Sequence, residues 1–222
     1  MSTHPNLDSL KVLFIGNSFT ARNDLPGLLA QLAASRGRSL QSRLISAGGA
    51  SLRRHWNAGE ALKAIETGAN DYVVLQEQST LPIKNAQRMH ESVRLFDRAI
   101  KATGGQTALY LTWARKRTPE SQPVITDAYT HIGRELGATV VPVGVVWQKF
   151  LRQHAKPLLH DRDESHPTLA GSYLAACVFF AILLKDNPIG IDAEVDGLHT
   201  EDRVLLQKAA WEGTRSVKSK GN

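Results

Sequence analysis

The sequence is short of several things, and each shortage closes off a class of protein. Its 222 residues hold a single cysteine, Cys177. One thiol forms no internal disulfide and cannot supply a zinc site built from several thiolates. It lies in the apolar run YLAACVFFAILL, where a buried structural thiol is expected rather than a nucleophile. Long hydrophobic runs are also missing: the most apolar stretch, 174–184, falls well short of the roughly 20 residues that span a bilayer. No membrane partner is therefore expected. The first residues, MSTHPNLDSLK, contain no basic cluster leading into an apolar segment, so the expected setting is cytoplasmic and reduced. No stretch of Pro, Gly or Ser is long enough to be a linker, and one domain over 1–222, with its core at about 11–184, is the expectation.

Negative charge is in modest deficit, with a formal net charge of +6. Much of the excess comes from scattered arginines and from the tail TRSVKSKGN (214–222), which reads as frayed and solvated. There is no RNP-like aromatic motif, zinc-finger spacing or long basic stripe, so no nucleic-acid partner is expected. Mild basicity alone speaks to solubility. Nothing in the sequence sets the oligomeric state.

What is present is a strict alternation of short β-branched runs and longer amphipathic stretches. KVLFI (11–15), LQSRLIS (40–46), DYVVLQ (71–76), TALYLTW (107–113) and TVVPVG (139–144) read as strands. LPGLLAQLAASRG, NAGEALKAIETG and the segments 86–103, 125–136 and 168–184 read as helices, the last being the final long one. This pattern predicts a three-layer α/β/α fold: a flavodoxin-like, doubly wound sheet of about five parallel strands. Right-handed crossovers then bring every strand-to-helix loop to one edge. The loops GNSFT, AGGASL and QEQS would be neighbours there, carrying small residues and neutral hydrogen-bonding side chains that suit an oxyanion better than a phosphate or a metal.

Several common sites are excluded by missing motifs. No GxGxxG follows the first strand, GxxxxGK[ST] occurs nowhere, and the GxSxG elbow is absent. GNSFT as a phosphate cradle, in the manner of flavodoxins, is the alternative reading: a non-catalytic phosphate- or flavin-binding domain. A third is a divalent-metal site in the loop holding His160, Asp161, Asp163, Glu164 and His166, although Arg162 interrupts it.

The segment HDRDESHPT is more informative. Asp163 and His166 are three apart and Pro167 fixes the backbone before a helix. On such a turn the carboxylate reaches one imidazole nitrogen and leaves the other free for a nucleophile. Composition predicts about 0.4 chance occurrences of Asp-x-x-His, and about 0.02 once the proline is required. A lone serine after a strand, such as Ser18, is by itself usually a turn or N-cap residue. His55, in SLRRHW, is a candidate pocket-lining residue, whereas the other histidines lack context.

Taken together, FIGNSFT and DESHPT resemble the SGNH, or GDSL-type, hydrolases, and the resemblance runs from residue 11 to about 184. AGGASLRRHW and VVLQEQS are further similar to the loops of carbohydrate acetylesterase-like members. The resemblance implies a serine esterase with Ser18 as nucleophile, His166 as base and Asp163 orienting the imidazole. It also implies an oxyanion hole made by the Ser18 N–H, a glycine N–H (Gly49, with Gly48 as second choice) and an amide from Gln76 or Gln78. Gln76 matches the acetylesterase-like loop, and Gln78 the spacing of the usual asparagine. The implied substrate is a small acyl ester, with acetyl as the expected acyl group and an acetylated sugar as one candidate. No metal or organic cofactor is implied. No extended apolar lid links the blocks, which argues for short acyl groups. Trp56, Trp113 and Trp147 lie near strand ends, where a ring can stack on a sugar but more often belongs to the core.

Overall fold

A computed structural model describes residues 9–218. In chain order the elements are β1 (Ser9–Gly16), α1 (Ser18–Ala21), α2 (Leu25–Ala34), β2 (Ser39–Ser46), α3 (Leu52–Ala58), α4 (Glu60–Gly68) and β3 (Tyr72–Leu75). Then come α5 (Leu81–Lys84), α6 (Ala86–Ala102), β4 (Gln106–Tyr110), α7 (Gln122–Leu136), β5 (Thr139–Val141), α8 (Val143–Gln153), α9 (Leu169–Leu183) and α10 (Thr200–Lys218). The five strands form one sheet in the order β2-β1-β3-β4-β5, and every pairing is parallel. The winding of the chain across the sheet reverses between β1 and β3, the switch point where doubly wound sheets place their sites.

Alternation along β1 builds both faces. Leu10, Val12 and Phe14 join α2, α8, α9 and α10 in one core, while Leu13 and Ile15 face α3, α4, α6 and α7 in the other. α9 lies almost wholly inside the first core, which accounts for its near-continuous apolar sequence. Cys177 sits there fully buried, and burial pushes its thiol pKa up, as suits a packing residue.

The structure departs from the sequence pattern in four places. The stretch expected as a single helix at 57–68 is two, because Gly59 breaks α3 from α4 at φ +78°. β4 ends at Tyr110; the Leu111 N–H still donates to the Val141 carbonyl on β5 (3.1 Å), and Thr112 and Trp113 lie beyond the strand. β5 ends at Val141, and the remainder of TVVPVG turns at Pro142 into the unexpected helix α8. Finally, 168–184 is not the last long helix: α10 follows it and packs on α9 and α8.

α10 hides its pattern because its buried stripe is partly polar: Arg203, Leu206, Gln207, Ala210 and Thr214. Gln207 Nε2 donates to the Tyr173 hydroxyl (2.8 Å) and to the Ile191 carbonyl (2.7 Å). The tail expected to be frayed is therefore helical as far as Lys218, with Thr214 buried, and 219–222 lie outside the described residues. Among the described residues, no helix is long and apolar enough to cross a membrane.

Candidate active site

Three loops converge at the carboxyl ends of β1, β2 and β3, and a buried side chain ties each pair of them. Asn17 links the first loop to the second, its Nδ2 donating to the Ala50 carbonyl at 3.0 Å. Gln76 links the first to the third: its Oε1 accepts from the Asn17 N–H (2.8 Å) and the Thr20 hydroxyl (3.0 Å). Glu77 links the second to the third, its Oε1 accepting from the N–H groups of Leu52 (3.1 Å) and Gln78 (2.6 Å). Gly16 must lack a side chain here, since a Cβ would sit 2.6 Å from Gln76 Oε1 and 2.8 Å from Thr20 Oγ1.

Asn17 also caps α1, its Oδ1 accepting from the Phe19 N–H at 3.1 Å, while the N–H groups of Thr20 and Ala21 return to its carbonyl. Ser18 is thereby the first helical residue, half-buried at the lip of a cleft. Its own N–H has no intrahelical acceptor and makes no hydrogen bond among the described residues.

The other side of the cleft is the loop between α8 and α9. His160 and Pro167 pair across its base, and the Asp161 N–H donates to the His166 carbonyl at 2.8 Å. Inside this loop Asp163 Oδ1 accepts from the N–H groups of Ser165 (3.0 Å) and His166 (2.9 Å), and Oδ2 accepts from His166 Nδ1 at 2.5 Å. The His166 N–H first, and then its imidazole and the Ser165 N–H, hold the Asp163 carboxyl well below the usual carboxylate range. With a proton on Nδ1, Nε2 is an acceptor, and the Ser18 hydroxyl donates to it at 2.7 Å.

A row of rings supports this meeting from below. His166 packs edge-on to Phe19 (5.4 Å between centroids), Phe19 stacks on Trp113 (4.8 Å), Trp113 stacks on Trp147 (3.9 Å), and Trp147 meets His160 (5.0 Å). Trp113 Nε1 also donates to the Ser165 carbonyl at 3.0 Å. Trp113 and Trp147 are thus core residues, and Trp56 packs edge-on to Phe96. None of the three lines the cleft, so none offers a sugar-stacking ring.

The cleft has a volume of about 150 Å³ and is lined by Ser18, Gly49, Gln78, Ser79, Arg115 and His166 among others. Gly49 adopts φ +62°, a left-handed conformation suited to glycine, and its N–H makes no hydrogen bond among the described residues. Gly48 does not line the cleft.

The two glutamines separate sharply. Gln76 is fully buried and engaged at both ends, its Nε2 donating to the Glu77 carbonyl. Gln78 lines the cleft, and its Oε1 accepts from the N–H groups of Thr80 (2.9 Å) and Leu81 (3.0 Å) and from the Thr80 hydroxyl (3.0 Å). Those donors identify which end of the amide is oxygen, and its nitrogen makes no hydrogen bond among the described residues.

His55 is not a cleft residue. It is buried beneath, with Nε2 donating to the Gly16 carbonyl at 2.7 Å. The acidic residues of the 160–166 loop face different partners: Asp161 pairs with Arg22 (2.6 Å), Glu164 with Arg117, and Asp163 with His166. Among the described residues, no three or more His, Cys, Asp or Glu side chains gather as metal ligands.

Sequence reading passed over Glu77, Phe19, Ser79 and Arg115. The usable signal for Glu77 was a carboxylate two residues after the all-buried strand YVVL, a position that requires a specific partner.

No protein-family model and no curated protein matches the sequence. Solved structures do. A candidate SGNH hydrolase from Slackia heliotrinireducens is 27% identical, with a TM-score of 0.69 over 79% of this chain and 99% of its own. The chain is a hydrolase of the SGNH fold. A DUF4886-family protein from Bacteroides uniformis superposes on this SGNH-fold hydrolase with a TM-score of 0.76 at 22% identity, covering 94% of this chain and 95% of its own. An acetyl-xylooligosaccharide esterase, Axe2 from Geobacillus stearothermophilus, gives a TM-score of 0.63 at 16% identity, over 80% of this chain and 95% of its own.

Proposed function

We propose that this hydrolase is a serine esterase that cleaves short-chain acyl esters, acetyl foremost, with Ser18 as nucleophile, His166 as general base and acid, and Asp163 as the group that orients the imidazole. The observation that carries the reading is the continuous chain of hydrogen bonds from the Ser18 hydroxyl through His166 to Asp163, 2.7 and 2.5 Å long. Such a relay suits the removal of a proton from the hydroxyl.

In this mechanism Ser18 Oγ attacks the ester carbonyl as His166 Nε2 takes its proton. The carbonyl oxygen gains negative charge, and the free N–H groups of Ser18 and Gly49 and the Gln78 amide nitrogen are the donors assigned to it. Collapse of the tetrahedral intermediate breaks the bond to the alcohol oxygen, which takes the proton from His166. Water, deprotonated by the same nitrogen, then attacks the acyl-serine, releasing the acid and returning the proton to Ser18. Asp163 stays ionised throughout and stabilises the transient imidazolium.

The size of the cleft supports a short acyl group. About 150 Å³ is well below the roughly 300–1,000 Å³ of sites that enclose drug-sized ligands. For the alcohol portion, likeness to an acetyl-xylooligosaccharide esterase favours an acetylated sugar. Recognition of it would fall to polar groups such as Ser79, Ser165 and Arg115, because no tryptophan ring lines the cleft. The phosphate- or flavin-binding alternative fits the first loop poorly. A phosphate cradle needs several free N–H groups, and here those of Phe19, Thr20 and Ala21 already bond to Asn17.

The deciding experiment is reaction with a serine-directed fluorophosphonate, followed by mass mapping of the labelled peptide. Label on Ser18 supports the assignment. Absence of label, or label on another residue, removes it.

A further inference from the structure

Glu77 is fully buried, one residue before the proposed oxyanion donor Gln78, and the esterase reaction makes no direct use of it. A carboxyl group without exposure is costly unless its oxygens are hydrogen-bonded or paired. Its Oε2 is buried with no hydrogen-bond partner among the described residues, so a saturated polar network does not account for the burial. Its Oε1, by contrast, receives two backbone N–H groups from two different loops. One belongs to Leu52, which opens α3 directly after the turn that carries Gly49, and the other to Gln78. The Glu77 backbone is anchored in turn, its N–H donating to the Tyr129 hydroxyl at 3.2 Å on α7.

We infer that Glu77 is a positioning residue for the oxyanion hole: its carboxyl oxygen clamps the Gly49 loop to the Gln78 loop and sets the spacing of their two donors. This inference rests on the esterase reading and on the assignment of Gly49 and Gln78 as donors.

The physical need is plain. Gly49 lies on an exposed turn and Gln78 on a separate loop, so without a direct cross-link the separation of their N–H groups is set only indirectly, through the nucleophile's loop. Donors stabilise an oxyanion only when held about 2.7–3.1 Å from its position before charge develops. Asn17 and Gln76 tie the nucleophile's loop to each of the others, but among the described residues only Glu77 joins by hydrogen bonds the two loops that carry the remaining donors. A carboxyl oxygen is suited to this because one atom can accept two donors at once.

Two substitutions test it without touching the cleft wall. Glu77→Met keeps length and apolar volume but removes the acceptor. Leu52→Pro removes the second-loop donor, together with some apolar packing because Leu52 is buried: residue 52 is the first position of α3, where proline is tolerated, and Ser51 before it is already extended at ψ 161°. With p-nitrophenyl acetate, each should lower kcat about tenfold or more while KM changes less than threefold. Glu77→Gln, whose carbonyl oxygen can accept the same two N–H groups, should restore kcat to within about threefold of the wild type. The kcat losses of Glu77→Met and Gln78→Ala should fail to multiply in the double variant, since the first acts through the second.

Full kcat in both Glu77→Met and Leu52→Pro overturns the inference, as does a strictly multiplicative double variant. Where one of the pair does not fold, the other decides the question. The esterase reading fails separately, if Ser18→Ala keeps its activity.

Discussion

Ser18 and His166 are 148 residues apart in the chain and 2.7 Å apart in space. The first is set at the end of β1 by the Asn17 cap, and the second by a loop whose geometry is largely internal to 160–167. Their meeting is fixed by the ring row of Phe19, Trp113 and Trp147, which lies under both.

Ser18→Ala and His166→Ala should each lower kcat/KM for p-nitrophenyl acetate by about 10⁴ or more. Neither side chain carries the core, so the thermal midpoint should move by no more than a few degrees. The two together should cost little more than either alone, because they act as one unit. Retained turnover in either single variant refutes the triad.

Asp163→Asn should cost roughly 10²–10³ in kcat, less than for a deeply buried triad carboxylate, because Asp163 stands exposed beside the histidine. Its depressed pKa also has a stability consequence. The folded state favours the ionised form, so this contribution is present above the unfolded value near 3.8 and is lost as pH falls below it. Thermal midpoints measured between pH 5 and pH 3 should fall more steeply for the wild type than for Asp163→Asn.

The two glutamines should separate by assay. Gln78→Ala should reduce kcat about 10²–10³-fold and leave the thermal midpoint nearly unchanged. Gln76→Ala leaves the buried Asn17 N–H without its acceptor, which costs about 1–3 kcal/mol. In a chain of this length that lowers the midpoint by about 2–4 °C per kcal/mol. Kinetics and differential scanning calorimetry on both variants check the division, and a reversed pattern would transfer the donor role to Gln76.

Glu77 should leave a mark on stability against pH. Burial first of all pushes its pKa from the ordinary value near 4.5 up to about 7, against the pull of the Gln78 and Leu52 N–H groups and Arg88. An acid with a raised folded pKa holds its proton longer in the native state than in the unfolded chain. Its contribution to stability therefore declines as pH rises from about 4.5 to about 7 and is constant beyond. Glu77→Gln removes that decline, so its midpoint relative to the wild type should rise across this window. A flat difference from pH 4 to pH 8 would show that Glu77 ionises normally.

Ester chain length offers a further check. In a cleft of about 150 Å³, kcat/KM should fall steadily from p-nitrophenyl acetate to the butyrate and octanoate. A preference for octanoate would mean that an acyl channel opens beyond the wall formed by Phe19 and Gln78.

Local pattern alone settled much of this protein. The apolar runs KVLFI and DYVVL specify parallel strands because both their faces must be covered, and the alternation with helices specifies the layers. The Asp163–His166 contact was equally readable, since three residues and a proline confine it to one turn. Tertiary structure decided what depends on which neighbour arrives. It engaged Gln76 at both ends and left the nitrogen of Gln78 open, turned His55 towards the Gly16 carbonyl, and drew Trp113 and Trp147 into the core. It also made a polar stripe bury α10. The physical reason is common to all of these: periodicity reports which side of an element is covered, but a polar side chain's role depends on the partner at its tip, and that partner is supplied by a distant part of the chain.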